Sequence, residues 1–202
     1  LKNGGSVFTW GNKNSGGNSE TIQAKLTANV KNIYSTDGAF AALKDDGSVV
    51  TWGSVFEGAY TDNVANELTD VLEIYSTDSA FAALKEDGSV ITWGNYSNGG
   101  DSDVVANQIN ADVINIYSTN SAFAAIKKDG SVVTWGDEKE GGDSSKVEDL
   151  LSKQVISIQP TEKAFAALKE DGSVIAWGDD TYGGNSAAVS EALQVGVQQL
   201  FS

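Results

Sequence analysis

Five Trp-Gly pairs recur along the chain at an almost constant step. Trp10, Trp52, Trp93, Trp135 and Trp177 are spaced by 42, 41, 42 and 42 residues, and glycine follows each one. Phe40, Phe81, Phe123 and Phe165 keep the same step, as do Asp46-Gly47, Asp87-Gly88, Asp129-Gly130 and Asp171-Gly172. One unit reads I-Y-S-T-x-x-A-F-A-A-L-K-x-D-G-S-V-V-T-W-G, a variable loop, Gly-Gly-(Asp/Asn)-Ser, a polar amphipathic stretch and V-x-x-I. A repeat of this length is one supersecondary unit, and it buries its apolar face only against a neighbouring copy. The chain is therefore restricted to stacked-repeat architectures.

Each unit reads as strands. In A-F-A-A-L-K, Phe40 and Ala42 lie on one side and Ala41 and Leu43 on the other, and S-V-V-T-W-G is β-branched. The Asp-Gly pair between them predicts a two-residue type I′ hairpin, with Gly4-Gly5 serving the same turn at the start. V-x-x-I-Y-S, with Tyr34, Tyr75 and Tyr117, supplies a third strand, and a segment such as 144–152 a helical turn or an irregular fourth element. An isolated hairpin is marginal, so neighbouring units must stack. Together these features predict an all-β fold, a β-propeller of five visible repeats of about 42 residues in a single domain over residues 1–202. A linear β-solenoid is the runner-up. The Ala-rich strands are expected near the axis, where room is short, and the tryptophans in the core between blades. Pro160, the only proline, predicts an edge position or an altered loop in its unit.

Composition excludes whole classes of chemistry. The 13 basic residues are all lysine, against 28 acidic ones, for a formal charge of −15, and there is no His, Cys, Arg or Met. Without His or Cys there is no Ser-His-Asp triad, thiol nucleophile, zinc finger or haem ligation. The acidity argues against a nucleic-acid surface. No apolar run reaches the roughly 18 residues of a membrane span, and no stretch reads as a signal peptide. High acidity with lysine as the only cation points to salty or extracellular surroundings.

With these motifs in view, A-F-A-A-L-K-E-D-G-S-V-I-T-W-G followed by Gly-Gly and a V-x-x-I strand resembles the repeat of the regulator of chromosome condensation family. The L-x-L-x-x-D-G-x-V-x-x-W-G core of that repeat is similar. Ala167-Leu168-Lys169 and Val174-Ile175-Ala176-Trp177-Gly178 resemble its bacterial short-repeat branch, which includes β-lactamase inhibitor protein II. The resemblance covers essentially the whole chain and implies a propeller, usually of seven blades. The Gly pair and His that often precede the family's strand are replaced here by Thr with Asp37-Gly38, Asp78-Ser79 or Asn120-Ser121. Nucleotide-exchange and histone-binding roles are therefore not carried over.

The ends are also informative. Leu1-Lys2 align with Leu43-Lys44, and Phe201-Ser202 with Tyr117-Ser118. The chain amounts to five periods less one T-x-x-A-F-A-A segment, so one blade is expected to lack most of a strand. An array cut from a longer one, such as a seven-bladed parent, a defective blade, or a strand supplied by a neighbouring molecule would each account for this.

Comparing the units with one another locates candidate sites. The most variable window follows Trp-Gly, and binding residues concentrate on loops held by a rigid scaffold. Phe56, Tyr60, Tyr96 and Tyr182, with Asn12, Asn95, Asp137 and Asp179, are the candidate binding residues. Asp101, Asp103 and Asp143 follow Gly-Gly in oxygen-rich turns of a kind calcium uses, although no full loop of spaced ligands is present; otherwise no cofactor is expected. The turn aspartates are accounted for by the hairpins, and no carboxylate pair stands apart for glycoside hydrolysis. The expectation is a non-catalytic binding or adhesion module of a secreted or cell-surface bacterial repeat protein, recognising a protein or surface partner through its blade loops. A lectin binding glycans, a structural module assembling end to end with other copies, and an inhibitor of a secreted enzyme are the alternatives.

Overall fold

The computed structural model describes residues 1–202. They divide into two compact units, Leu1–Asp101 and Ser102–Ser202. In the first, β1 (Val30–Ser35), β2 (Ala39–Lys44) and β3 (Val49–Gly53) form an antiparallel sheet in that order. The next sheet is β4 (Val71–Ser76), β5 (Ala80–Lys85) and β6 (Val90–Gly94). The second unit holds β7 (Val113–Ser118), β8 (Ala122–Lys127) and β9 (Val132–Gly136), then β10 (Val155–Pro160), β11 (Ala164–Lys169) and β12 (Val174–Gly178). The registers repeat, with Phe40 opposite Trp52, Phe81 opposite Trp93, Phe123 opposite Trp135 and Phe165 opposite Trp177.

The Ala-rich strand is the central strand of each sheet, not an innermost edge as expected. Its small side chains are required because both of its faces are covered. In the first unit Ala39, Ala41 and Leu43 pack against Phe81, Ala83 and Trp93 of the next sheet. On the other face of β2, Ala42 joins Trp52, Val50 and Leu26. In the second unit Ala122, Ala124 and Ile126 meet Phe165, Ala167 and Trp177. A small face thus receives a large one. The two rings of each Phe–Trp pair stack with centroids 5.2–5.3 Å apart. A buried aromatic removes roughly 150–250 Å² from water, a gross gain of about 4–6 kcal/mol.

Five repeats yield four sheets. Residues 7–11, the counterpart of β3, and 197–202, the counterpart of β1, belong to no strand. Trp10 is 85% exposed, whereas Trp52, Trp93, Trp135 and Trp177 are 2–6% exposed. The expectation of a core role therefore holds for four tryptophans and fails for Trp10, because no A-F-A-A segment lies beside it.

The hairpins also differ from the expected type I′ form. The Gly47 N–H donates to the Lys44 carbonyl at 3.0 Å and the Lys44 N–H to the Ser48 carbonyl at 2.9 Å. Gly47 has φ +76°, and Asp46 is not in the left-handed region. This is a three-residue loop in which a turn is followed by a left-handed glycine, a form that needs positive φ at one position only. The aspartate closes the loop with its side chain. Asp46 Oδ1 accepts the Ser48 hydroxyl at 2.6 Å and the Ser48 N–H at 3.0 Å. Asp87, Asp129 and Asp171 do the same with Ser89, Ser131 and Ser173. The serine hydroxyl, then its N–H, holds each of these carboxyls below the ordinary aspartate range.

The polar stretch forms short turns, several of them 3-10, and in the repeat of Trp135 a turn at Ser145–Val147 running into the α-helix Glu148–Leu151, labelled α1. Leu26, Leu68, Ile109 and Leu151 anchor these segments at 0–4% exposure. The lysine ending the central strand caps the segment's last carbonyls: Lys44, Lys127 and Lys169 donate to Lys25, Gln108 and Leu150. Pro160 ends β10 in the register that Ser118 has in β7, opposite Phe165. The turn after it is unaltered, with the Thr161 N–H on the Ala164 carbonyl at 2.8 Å. The edge placement is found and the altered loop is not. Alternation turns the N of residue 160 toward the free edge of β10, where a missing donor costs no ladder bond.

This packing makes the tryptophans unequal. Trp93→Ala should cost about 3–5 kcal/mol in denaturant unfolding, whereas Trp10→Ala should change stability by less than about 0.5 kcal/mol. The turn aspartates, depressed in the fold, contribute stability that is present above about pH 4 and lost as pH falls through their folded values. The melting temperature of the wild type should therefore fall more steeply between about pH 5 and pH 2 than that of a variant with all four turn aspartates changed to Asn, and equal slopes would contradict the assignment.

Candidate functional site

After each Trp-Gly the chain makes the same loop: an extended residue, a three-residue 3-10 turn and a left-handed glycine. In four of the five, the first residue caps the turn. Asn12, Asn95, Asp137 and Asp179 accept the N–H of Asn14, Ser97, Lys139 and Thr181 at 2.8–3.0 Å. Their side-chain oxygens are thus engaged in holding the loop. Asp179 lies below the ordinary aspartate range, first because of the Thr181 hydroxyl and then the Thr181 N–H. Ser54 takes the same place without a side-chain cap.

Two further kinds of anchor pin these loops to the sheets. The carbonyl of the left-handed glycine accepts the indole N–H of the next tryptophan: Trp52 to Gly16, Trp93 to Gly58 and Trp177 to Gly141, each at 3.0 Å. A Cβ at Gly58 would lie 2.6 Å from the Phe81 ring, so the close approach and the φ of +111° both call for glycine. The carbonyl just before that glycine accepts a threonine hydroxyl. Thr36, Thr77, Thr119 and Thr161 donate to Glu57, Asn98, Glu140 and Tyr182 at 2.8–3.0 Å. The loop after Trp135 has all three anchors and the loops after Trp10, Trp52 and Trp177 have two each, while the side chains of the turn vary freely.

On that frame Phe56 is 82% exposed, Tyr96 75%, Tyr60 52% and Tyr182 41%. They occupy different steps of the loop: Tyr96 stands at the first residue of its 3-10 turn, Phe56 at the middle one and Tyr182 at the last. Tyr60 follows the loop. The structure thus presents separate aromatic projections on a common support and no shared pocket of equivalent rings. In the second unit a groove of about 630 Å³ is bordered by two successive loops, with Glu138, Asp143, Asp179 and Asp180 against Lys139 and Lys146.

One cluster is not apparent from the repeat pattern alone. Lys163 stands where the other units carry Gly38, Ser79 and Ser121. Its Nζ lies 2.8 Å from Glu140 Oε1 and 5.5 Å from the centre of the Tyr182 ring. The hydrogen bond to Glu140 raises the Lys163 ammonium above its ordinary value. The only signal in the sequence is a lone charge in a column of small residues.

No group of three or more His, Cys, Asp or Glu side chains is gathered to hold a metal ion. Asp143, a residue of the calcium expectation, has Oδ1 on the Ser145 N–H at 2.8 Å. The capping role predicts that Asp137→Ala destabilises the second unit by roughly 0.5–2 kcal/mol, while Asp137→Asn retains most of the stability. Denaturant unfolding of both variants distinguishes a cap from a side chain free for a ligand.

No protein-family model and no curated protein matches the sequence. Solved structures do match. Prp20p from Saccharomyces cerevisiae is 20% identical over 87% of this chain and 51% of that one, with a TM-score of 0.51. The CRINKLY WD40 ectodomain of the Arabidopsis thaliana receptor kinase ACR4 is 19% identical over 74% of this chain and 56% of that one, with a TM-score of 0.52. Human WBSCR16 is 19% identical over 84% of this chain and 53% of that one, with a TM-score of 0.50. The chain spans about half the length of these relatives. What the likeness establishes is the fold, RCC1-like repeats of a β-propeller.

Proposed function

We propose that this chain is a non-catalytic protein-binding module in which exposed aromatic side chains on rigid blade loops contact a partner. The carrying observation is the contrast within each repeat between a recurring, hydrogen-bonded loop backbone and an exposed, changing side-chain set, with Phe56 and Tyr96 the most exposed of the candidate aromatics. A rigid aromatic costs little entropy on binding, and aromatic residues are enriched among binding hot spots. Prp20p binds Gsp1p and histones, and a second structure holds it bound to Kap60. A propeller of this kind serving as a protein-binding surface is thus consistent with the reading. A chain of formal charge −15 with lysine as its only cation favours neutral or basic protein surfaces.

The short repeat and the acidic, lysine-only composition support a place in the bacterial short-repeat branch and a secreted or cell-surface setting. We assign it no enzyme activity and no cofactor. Two measurements test the reading. With a partner identified by crosslinking, calorimetry should give a loss of about 1–3 kcal/mol for Tyr96→Ala or Phe56→Ala, with unchanged melting temperature. A partner whose affinity ignores both substitutions, or binding to a glycan array in place of protein, would overturn it.

A further inference from the structure

We infer that the end of the sheets where the hairpin tips lie, opposite the Trp-Gly loops, docks a basic protein segment bearing aliphatic side chains. Each sheet has a bulge at the start of its first strand. Val113 pairs with Lys127 and Asn115 with Ile126, so Ile114 has no partner across the strands. The register skips Ile156 in β10, Leu72 in β4 and Lys31 in β1 in the same way. A bulge leaves its extra residue out of the ladder and re-aims its side chain. Leu72, Ile114 and Ile156 are accordingly 45%, 53% and 55% exposed, while the preceding Val71, Val113 and Val155 are buried.

The bulged strands are edge strands of their sheets. Natural edges are commonly guarded by charged residues, lysine above all, and β1 carries Lys31 at this position. Lys31 sits in the same bulge with the same register, so the fold does not require an aliphatic residue there. Leucine or isoleucine in the other three sheets therefore puts apolar surface into solvent with no return in packing. In the second unit β7 and β10 lie side by side, and Ile114 and Ile156 occupy the same step on these neighbouring strands.

The surroundings select the occupant. Hairpin tips hydrogen-bond to the residues just ahead of the bulges. In the second unit the Val155 N–H donates to the Gly130 carbonyl at 3.0 Å and the Glu170 N–H to the Gln154 carbonyl at 2.9 Å. Ile156 is thus bracketed by tips that carry Asp129 and Glu170-Asp171, all exposed, while Lys128 is paired with Asp112 at 3.1 Å. In the first unit the Val71 N–H donates to the Gly47 carbonyl at 3.0 Å and the Glu86 N–H to the Asp70 carbonyl at 2.9 Å, which brackets Leu72 with Asp45-Asp46 and Glu86-Asp87. An apolar centre with a carboxylate rim fits a segment whose Leu, Ile or Val side chains stand between Lys or Arg. A second copy of this chain would set carboxylates against carboxylates, which is repulsive. The surface lies at the other end of the strands from Phe56 and Tyr96, so this inference does not rest on the reading above.

The test uses the 202-residue chain and a labelled amphipathic peptide of leucine and lysine. Fluorescence anisotropy should give saturable binding that weakens about tenfold or more when Leu72→Ser, Ile114→Ser and Ile156→Ser are combined, a change that leaves the charge untouched. Lys31→Leu should tighten binding, a gain that loss of folding cannot mimic. Glu86→Gln with Glu170→Gln, which spares the aspartates that close the turns, should weaken binding and flatten its salt dependence. Tyr96→Ala should leave it unchanged. Absence of saturable binding, equal binding of a peptide with its leucines changed to serine, or indifference to the triple serine variant at unchanged melting temperature overturns the inference. Light scattering that shows dimers of the chain, lost in the triple variant, also overturns it by making a second copy the occupant.

Discussion

One contact, made again from repeat to repeat, governs how the sheets and loops fit together. A tryptophan stacked on its cross-strand phenylalanine presses against the left-handed glycine of the loop before it and donates its indole N–H to that glycine's carbonyl. The contact joins a sheet to the loop that precedes it, so it sets how consecutive repeats stack. It also satisfies the one polar atom of a large buried ring, without which burial would be costly. Glycine is required on the other side because a Cβ there would meet the phenylalanine ring.

The alternation of small and large residues follows from this. A wide Phe-Trp face can pack closely only against a face without bulk, and the central strand supplies Ala39 and Ala41, or Ala122 and Ala124. The central strand is fully paired on both edges and covered on both faces, so alanine at these places reflects crowding. Links outside the apolar core reinforce the stacking. The Asp37 N–H donates to the Asp78 carbonyl at 2.9 Å, and the Tyr34 hydroxyl donates to Glu73 at 2.5 Å. Burial and the Glu73 carboxylate push Tyr34 up to about 12, so this hydroxyl stays a donor across the ordinary pH range.

The same anchoring separates scaffold from reading surface. A side-chain cap, an indole N–H and a threonine hydroxyl hold the loop backbones, two or three of them to a loop, and the turn residues are left to vary. Asn12, Asn95, Asp137 and Asp179 look like contact residues in a variable window, yet their oxygens close the loop from within. Phe56 and Tyr96 stand out from the loops with most of their ring surface in solvent. Lys163 shows that a single substitution in a column of small residues can add a local charge pair without altering the turn that carries it.

The repeat, the three strands of each unit and their pairing were legible in the residues, because a 42-residue period with a period-2 apolar pattern and a turn glycine leaves few alternatives. So was a core place for four of the five tryptophans. Other features became fixed only once the chain had folded. Turn type depends on which residues take positive φ, and Asp-Gly is compatible with both the two-residue and the three-residue loop. Whether an aspartate caps or contacts depends on where the nearby N–H groups point. The exposure of Trp10 depends on a neighbour, since the same residue in the same local sequence is core or surface according to whether a strand lies across it.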